Sequence, residues 1–338
     1  MSSFHRNGKF LYELDDMEKT ASIIEQIGAK NEIIIPRSTK INRYFLFADA
    51  TEYPIVCISK KAFKNVSITK IEFSPDSELR TIQKAVFQNS TIESLIIPPR
   101  VLELKKGWCK GASRLTTVTF NPENKRYKTI NNKIMLEKSN LDSDEYDTFV
   151  FCARDITEVN IEPNIKTIGQ YSFNDCSLIQ KVTFSDNSKI ECIEKGAFKN
   201  SSIENLSLPQ SIDQLCEGWC KGISNLKTIR IKNNRYLSID DKFIVGKSDI
   251  NSDEYDILVF CARNIKEVTI PDYIKVIGPY SFNCCTQLQE VKFTENSKIE
   301  RIEKKAFSET PIKNISIPSS LKIIGECAFY LCNELRTV

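Results

Sequence analysis

The sequence has 338 residues but only one histidine and eleven glycines, and it contains no long apolar run. The histidine, His5, lies in a polar N-terminal stretch, so mechanisms that depend on a histidine base have little support. Neither a G-x-G-x-x-G motif nor a P-loop occurs. No segment approaches the roughly 20 consecutive apolar residues of a membrane-spanning helix. These absences argue against an enzyme, and we expect no transmembrane segment within these residues.

Charge and cysteine spacing remove further classes of function. The chain carries 47 Lys+Arg against 44 Asp+Glu and has no basic tract, so nucleic-acid binding lacks its electrostatic basis. None of the twelve cysteines forms a C-x-x-C pair, and the spacing predicts neither a structural zinc nor any other metal or cofactor. Acidic residues from Glu13 onward interrupt the basic and apolar plan of a secretory signal, so none is predicted.

An internal repeat decides the architecture. Residues 172–209 and 281–318 share 21 identities in 38 positions at a constant offset of 109, and a more distant copy begins at Ala62. Within each long unit lies a shorter one, marked by an aromatic residue at closest spacings of 21 to 25. The wide gaps of 65 and 63 residues are expected to hold about two further units that lack the aromatic. A period of about 20 to 29 residues is typical of a leucine-rich-repeat solenoid.

Each short unit carries the pattern apolar-x-x-apolar-x-apolar, as in Ile179-x-x-Val182-x-Phe184, whose alternation predicts a strand with one buried face. The predicted fold is a leucine-rich-repeat solenoid of the α/β horseshoe class, mostly β-strands and turns with short helical or 3₁₀ turns on the convex side. Residues 1–45, which include a helix-like run from Met17 to Ile27, are expected to cap a solenoid of residues 46–338. Its C-terminal end has no evident cap, and we expect that edge to be able to pair with another chain.

The repeats resemble the BspA-like branch of leucine-rich-repeat proteins. The resemblance is clearest from Ile270 to Leu288 and from Ile317 to Leu335, which follow Ile-Pro-x-x-apolar-x-x-Ile-Gly and then Ser/Ala-Phe with a nearby Cys and Leu. The segments Phe149-Val-Phe-Cys-Ala-Arg154 and Leu258-Val-Phe-Cys-Ala-Arg263 look like the form found in protist surface antigens of this family. The resemblance implies a non-enzymatic protein-binding module at the cell surface, an antigen or adhesin that attaches to host or matrix proteins. The alternative is a cytoplasmic scaffold for protein–protein interactions.

The cysteines have two interpretations. Cys176, Cys285 and Cys332 follow the repeat aromatic by three residues, where a small residue is needed, and coils two apart are too distant for bridges. A disulfide remains open for two pairs that recur in both long units, Cys109 with Cys152 and Cys220 with Cys261.

Two sets of residues are candidates for binding a partner. An acidic loop occurs twice between apolar runs and is predicted to be a hairpin tip that is simply solvated, contacts a partner, or binds calcium. Its candidate residues are Asp142, Asp144, Glu145 and Asp147 in the first copy and Asp253, Glu254 and Asp256 in the second. The concave strand face is the usual binding surface of such a solenoid. Its candidates are Lys181, Arg230 and Lys292, which lie in rows of small polar and charged residues.

Overall fold

The computed structural model describes residues 2–28, 31–41 and 50–337, and this part of the chain contains strands and turns but no helix. It divides into two compact units. Unit 1 comprises Met1–Asp155 and Gly169–Asp175, and unit 2 comprises Ile156–Ile168 and Cys176–Val338. The expected boundary between residues 45 and 46 lies outside the described residues.

The described residues of unit 1 form fourteen strands. They are β1 (Ser2–Asn7), β2 (Phe10–Asp15), β3 (Thr20–Gln26), β4 (Glu32–Ile35), β5 (Ser38–Ile41), β6 (Thr51–Ile58), β7 (Lys70–Phe73), β8 (Thr81–Ile82), β9 (Ser94–Ile97), β10 (Glu103–Leu104), β11 (Thr117–Phe120), β12 (Tyr127–Ile130), β13 (Ile134–Glu137) and β14 (Thr148–Cys152). Strands β4, β7, β9 and β11 form one parallel sheet, and β6, β8 and β10 form a second parallel ladder. Unit 1 is therefore a stack of coils with two strands per coil.

Unit 2 repeats this plan with sixteen strands. They are β15 (Glu158–Ile161), β16 (Thr167–Ile168), β17 (Lys181–Phe184), β18 (Cys192–Ile193), β19 (Asn205–Ser207), β20 (Gln214–Leu215), β21 (Thr228–Arg230), β22 (Tyr236–Ile239), β23 (Phe243–Gly246), β24 (Ile257–Cys261), β25 (Glu267–Ile270), β26 (Val276–Ile277), β27 (Glu290–Phe293), β28 (Arg301–Ile302), β29 (Asn314–Ile315) and β30 (Ile323–Ile324). The longer strands pair in parallel as β15 with β17, β19 with β21, and β25 with β27 and β29. The short strands form separate parallel ladders, so the predicted β-solenoid of stacked coils is confirmed within each unit.

The N-terminal segment is stranded rather than helical. The expected helix-like run from Met17 to Ile27 is a turn followed by β3, which pairs antiparallel with β2 and parallel with β6. Ala21 and Ile23 are buried while the intervening Ser22 is not, so the burial of this run has the period of a strand. Strand β4 already belongs to the parallel ladder through β7.

Aromatic rings fill the interior of both units. In unit 1 the ring centroids of Phe63 and Phe87 lie 5.8 Å apart, and those of Phe87 and Trp108 lie 6.2 Å apart. In unit 2 Phe307 stacks on Phe282 at 4.8 Å and on Phe329 at 5.5 Å. The chain around these rings forms turns, so the predicted short helical or 3₁₀ segments are not confirmed. Positive φ angles within these turns, such as 59° at Asn65 and 54° at Asn200, interrupt a helical path.

The wide intervals between repeat aromatics run from Trp108 to Phe173 and from Trp219 to Phe282. Each contains one coil and one antiparallel meander rather than the two further repeat units expected from the spacing. The meanders are β12–β13–β14 in unit 1 and β22–β23–β24 in unit 2. Phe151 and Phe260 at the ends of the meanders continue the aromatic packing, 6.0 Å from Trp108 and 5.5 Å from Trp219 respectively. The acidic loops join the last two strands of each meander, so their predicted place at hairpin tips is confirmed.

Candidate functional site

The exposed side of the parallel long strands in each unit, here called the strand face, carries polar residues in register. In unit 2 Glu267, Glu290 and Asn314 are successive partners across β25, β27 and β29. Nζ of Lys292 lies 2.9 Å from a carboxylate oxygen of Glu290 and 3.9 Å from one of Glu267. A depression of about 460 Å³ is lined by residues of β27 and by Lys313, Asn314 and Ser316 in and beside β29. Lys292 therefore lies within a shallow polar surface.

The other two strand-face candidates, Lys181 and Arg230, also lie in unit 2. Lys181 is exposed at the start of β17, opposite Glu158 of β15. Nε and Nη2 of Arg230 contact Asp241 at 2.7 and 2.5 Å. This hydrogen bonding lowers the pKa of the Asp241 carboxyl and raises that of Arg230. Arg230 is consequently engaged by the turn of the meander, whereas Lys181 faces solvent.

The strand face of unit 1 differs because it exposes apolar side chains. Ile34 of β4 is 65% exposed and Ile96 of β9 is 45% exposed. Glu72 of β7 lies opposite Ile34, and the pairing of β7 with β9 carries this row on toward Ile96. The sequence did not predict Ile34 as a strand-face residue, because residues 1–45 were expected to cap the solenoid. The alternation of buried Ile33 and Ile35 around Ile34 was the signal that could have found it.

The two hairpin tips contain structural and exposed carboxylates. Asp147 accepts hydrogen bonds from the Ser139 amide at 3.0 Å and the Ser139 hydroxyl at 2.5 Å. Asp256 accepts the equivalent bonds from Ser248 at 2.9 and 2.7 Å. Burial opposes ionisation of Asp256, but the bonds from Ser248 outweigh it and lower the pKa of its carboxyl. Asp147 and Asp256 therefore close the hairpins from buried positions, and neither is the exposed contact residue expected from sequence.

The remaining acidic candidates are exposed. Asp142, Asp144 and Glu145 lie at the tip of the first hairpin, and Asp144 reaches toward Lys138 at 3.8 Å. In the second hairpin Asp253 is exposed, and Glu254 is 2.8 Å from Nζ of Lys275. Across residues 2–28, 31–41 and 50–337, no group of three or more His, Cys, Asp or Glu side chains is arranged to hold a metal ion. These carboxylates stay predicted contact residues.

Two buried arginines at the ends of the meanders were not predicted as sites. Nη1 of Arg263 donates to the carbonyl oxygens of Cys261 at 2.8 Å and Ser281 at 2.7 Å, and its Nε donates to that of Ile223 at 3.0 Å. Burial would raise the pKa of the Cys285 thiol, but hydrogen bonding by Cys261 and the nearby Arg263 charge lower it. Arg154 makes the corresponding bond to Cys152 in unit 1. The recurrence of Cys-Ala-Arg in both long repeats was the available signal.

None of the twelve cysteines, all of which lie within the described residues, forms a disulfide, including the two recurring pairs for which a bridge remained open. Cys176 and Cys285 are fully buried at the small-residue position, as their place in the repeat predicted. At the same position Ser90 and Ser201 donate their hydroxyls to the carbonyls of the aromatic residue three positions earlier, at 2.8 and 2.7 Å. One pair of thiols that sequence reasoning did not single out lies close together, with 3.3 Å between Sγ of Cys192 and Sγ of Cys216.

The repeat structure matches solved leucine-rich-repeat proteins in fold. A leucine-rich repeat protein from Eubacterium ventriosum ATCC 27560 is 16% identical with a TM-score of 0.51, and the match covers 98% of this chain and 95% of that protein. A leucine rich cell surface protein from Faecalibacterium prausnitzii A2-165 is 18% identical with a TM-score of 0.48, covering 99% and 94%. The pneumococcal vaccine antigen PcpA is 17% identical with a TM-score of 0.44, covering 99% and 75%. No curated protein is significantly similar to this chain.

A family match covers nearly all of the solenoid. Residues 50–146, 144–256 and 256–338 match the family described as the BspA type leucine rich repeat region, in six copies. Among the residues that the structure describes, no helix is long and apolar enough to cross a membrane. The family match spans the coils and both meanders described above, and the chain therefore belongs to the BspA-type leucine-rich-repeat family.

Proposed function

We propose that this chain is a non-enzymatic protein-binding module, a cell-surface antigen or adhesin that attaches to host or matrix proteins. The observation that carries the proposal is the strand face of unit 1, where Ile34 and Ile96 are exposed beside a row of polar residues. Exposed apolar side chains rimmed by polar ones are typical of protein–protein contact surfaces. Membership of the BspA-type family supports the same role.

The polar candidates supply the specificity of this proposed contact. Lys181 and Lys292 on the strand face of unit 2 offer exposed positive charge, and the hairpin carboxylates Asp144, Glu145 and Asp253 offer negative charge at separate positions. Exposed charges contribute more to partner choice and association rate than to affinity. We therefore expect the isoleucines to carry most of the binding energy and the charges to select the partner.

The experiment compares two matched variants of the full chain as bait in host-cell and matrix extracts. The strand-face variant carries Ile34→Ser and Ile96→Ser, and the hairpin variant carries Asp144→Asn and Asp253→Asn. We expect the wild type to retain a saturable protein partner, the strand-face variant to lose at least tenfold in affinity, and the hairpin variant to change it little. Circular dichroism of both variants checks that each remains folded.

Any of three outcomes contradicts this proposal. Full retention of the partner by the strand-face variant would place the contact elsewhere, and loss of retention only in the hairpin variant would assign it to the hairpin tips. A wild-type chain that retains no protein from any extract would remove the binding function itself.

A second candidate, an intracellular interaction scaffold, is favoured by the lack of disulfides among the twelve cysteines, all of which the structure describes. Thiol-rich proteins without disulfides are typical of reducing compartments. Labelling of intact cells with a membrane-impermeant amine reagent separates the two candidates. Modification of the protein on unbroken cells supports the surface module, whereas protection until lysis supports the scaffold.

A further inference from the structure

The meander of unit 1 contains a carboxylate held by three donors. Glu137 at the end of β13 lies opposite Tyr127 at the start of β12. Its Oε1 accepts a hydrogen bond from Nε of Arg126 at 2.8 Å and lies 2.8 Å from Nη2 of the same arginine. The Tyr127 hydroxyl is 3.4 Å from the same oxygen. Burial raises the pKa of Glu137 although Arg126 opposes the shift.

Unit 2 keeps the donors and lacks the carboxylate. At the offset of 109, Arg235 and Tyr236 correspond to Arg126 and Tyr127, whereas Gly246 stands where unit 1 has Glu137. Gly246 pairs with Tyr236 in the register that joins Glu137 to Tyr127. Of these three pairs of corresponding positions, only Glu137 and Gly246 differ in charge, and unit 2 therefore lacks the carboxylate that Arg126 and Tyr127 contact in unit 1.

The donors of unit 2 are consequently less occupied. Nη1 of Arg235 is 3.8 Å from the nearest oxygen of Asp213, beyond hydrogen-bond distance, and its side chain is 40% exposed against 29% for Arg126. The Tyr236 hydroxyl accepts a hydrogen bond from the Leu215 amide at 3.2 Å. No acceptor for the hydroxyl hydrogen lies within reach in the part of the chain that the structure describes.

A cleft of unit 2 borders Gly246. The cleft has a volume of about 380 Å³ and is lined by Arg235, Tyr236 and Gly246 together with apolar walls that include Trp219, Ile257 and Val276. This volume lies in the range of about 300 to 1,000 Å³ that small-molecule sites occupy. Three further cationic residues, Lys247, Arg301 and Lys304, also line the cleft. Two carboxylates, Glu217 and Glu303, also line the cleft, and Glu303 accepts a hydrogen bond from Arg301 at 2.8 Å.

We propose that this cleft of unit 2 binds a carboxylate carried on a short apolar stem. The carboxylate would take the place that Glu137 fills in unit 1, accepting hydrogen bonds from Arg235 and the Tyr236 hydroxyl. An arginine side chain recognises a carboxylate strongly because its charged donors form a planar fork. The stem would pack against Trp219, Ile257 and Val276. The site involves neither Ile34 nor Ile96, so its test is independent of the test of the proposed strand-face contact.

Propionate is the direct probe, because it is the glutamate side chain that unit 2 lacks. Titration of the full chain followed by NMR should give one saturable site with a dissociation constant on the order of millimolar. Propionamide, which has the same shape without the charge, should bind at least tenfold more weakly. Phenylpropionate should bind more tightly than propionate if the apolar walls hold the stem. A tripeptide with a free C-terminus, compared with its amidated form, tests whether a peptide carboxylate also enters.

Three variants locate the site. Gly246→Glu should abolish propionate binding by restoring the internal carboxylate, and unit 1 accommodates Glu137 beside equivalent Tyr127 and Val150 side chains. Arg235→Gln should weaken binding at least tenfold, whereas Arg126→Gln in the filled site of unit 1 should leave it unchanged. Equal binding of propionate and propionamide, unchanged binding in Gly246→Glu, or no saturation by about 100 mM propionate would each overturn the proposal.

Discussion

At the scale of single residues, the buried arginines are the groups whose environment matters most. Arg263 is 2% exposed, and its recorded partners are backbone carbonyls, a thiol and the face of Phe260 at 4.4 Å. A buried charge is tolerated when its hydrogen-bonding capacity is satisfied, and converging carbonyl oxygens do this for a guanidinium. The same side chain donates to carbonyls of β24 and of two segments outside the strands. Arg263 therefore joins the end of β24 to the two neighbouring coils.

Arg263→Met should destabilise the protein severely. The substitution keeps an apolar stem but leaves the buried carbonyls of Cys261 and Ile223 without their Arg263 donors, and the Ser281 carbonyl keeps only the Cys261 amide at 3.0 Å. An unsatisfied buried group costs about 1 to 3 kcal/mol, so we expect a loss of roughly 3 kcal/mol or more in urea unfolding. The matched control is Arg230→Met on the exposed strand face, where solvent screens the ion pair with Asp241 and its loss should change the stability little. Similar losses in both variants would contradict the role assigned to Arg263.

At the scale of elements, the sequence predicts what depends on local periodicity. The apolar-x-x-apolar-x-apolar pattern correctly located β7, β11, β17 and their equivalents, and charged loops between apolar runs located the hairpin tips. The N-terminal strands were missed because Met17 to Ile27 also fits a helical reading, and the choice of strand depends on pairing with β2 and β6. Phe151 and Phe260 were missed as interior aromatics because they reach the stack from a meander rather than from a turn.

The candidate site was predictable only in part. Rows of residues on parallel strands follow from the repeat register, and the structure pairs them as expected. Whether a carboxylate in a charged loop faces water or closes the hairpin depends on a hydrogen bond across eight residues, as between Ser248 and Asp256. The sequence also did not predict the cleft beside Gly246. A glycine indicates a missing carboxylate only when the structure shows that Glu137 contacts Arg126 and Tyr127 at the equivalent place in unit 1.

Asp256→Asn should weaken the second hairpin in a pH-dependent manner. The folded-state pKa of Asp256 is lowered, so its contribution to stability is present above the ordinary carboxyl pKa of about 3.9 and is lost as the pH falls through the lower folded value. We expect a loss of about 1 to 2 kcal/mol at pH 7, because bonds to an ionised acceptor are stronger than neutral ones. Thermal unfolding of wild type and variant should converge near pH 2. Asp253→Asn, at an exposed tip position, should show no difference at either pH.

At the scale of the whole chain, duplication explains both the repetition and the differences. The two long repeats conserve the asparagine, serine, tyrosine and arginine side chains that hold the meanders together, as shown by Asn124 and Asn233, each of which donates to a backbone carbonyl at 2.8 and 2.7 Å. Other positions have diverged between the repeats, including the exchange of Glu137, which contacts Arg126 and Tyr127, for Gly246. A duplicated scaffold can therefore change its binding chemistry without changing its interior.

The twelve thiols should all remain free in protein isolated without reductant. Most of the cysteines are buried as small interior residues, and the close pair Cys192 and Cys216 is offset in register, since Cys192 lies opposite Gln214. A two-residue offset on neighbouring strands separates the Cα atoms by about 8 Å, beyond the roughly 7 Å that a disulfide spans. Titration in denaturant should find twelve thiols, and the Cys192→Ser variant should find eleven. A count of ten in the wild type, with a bridged peptide containing both residues, would show that the coils shift enough to join them.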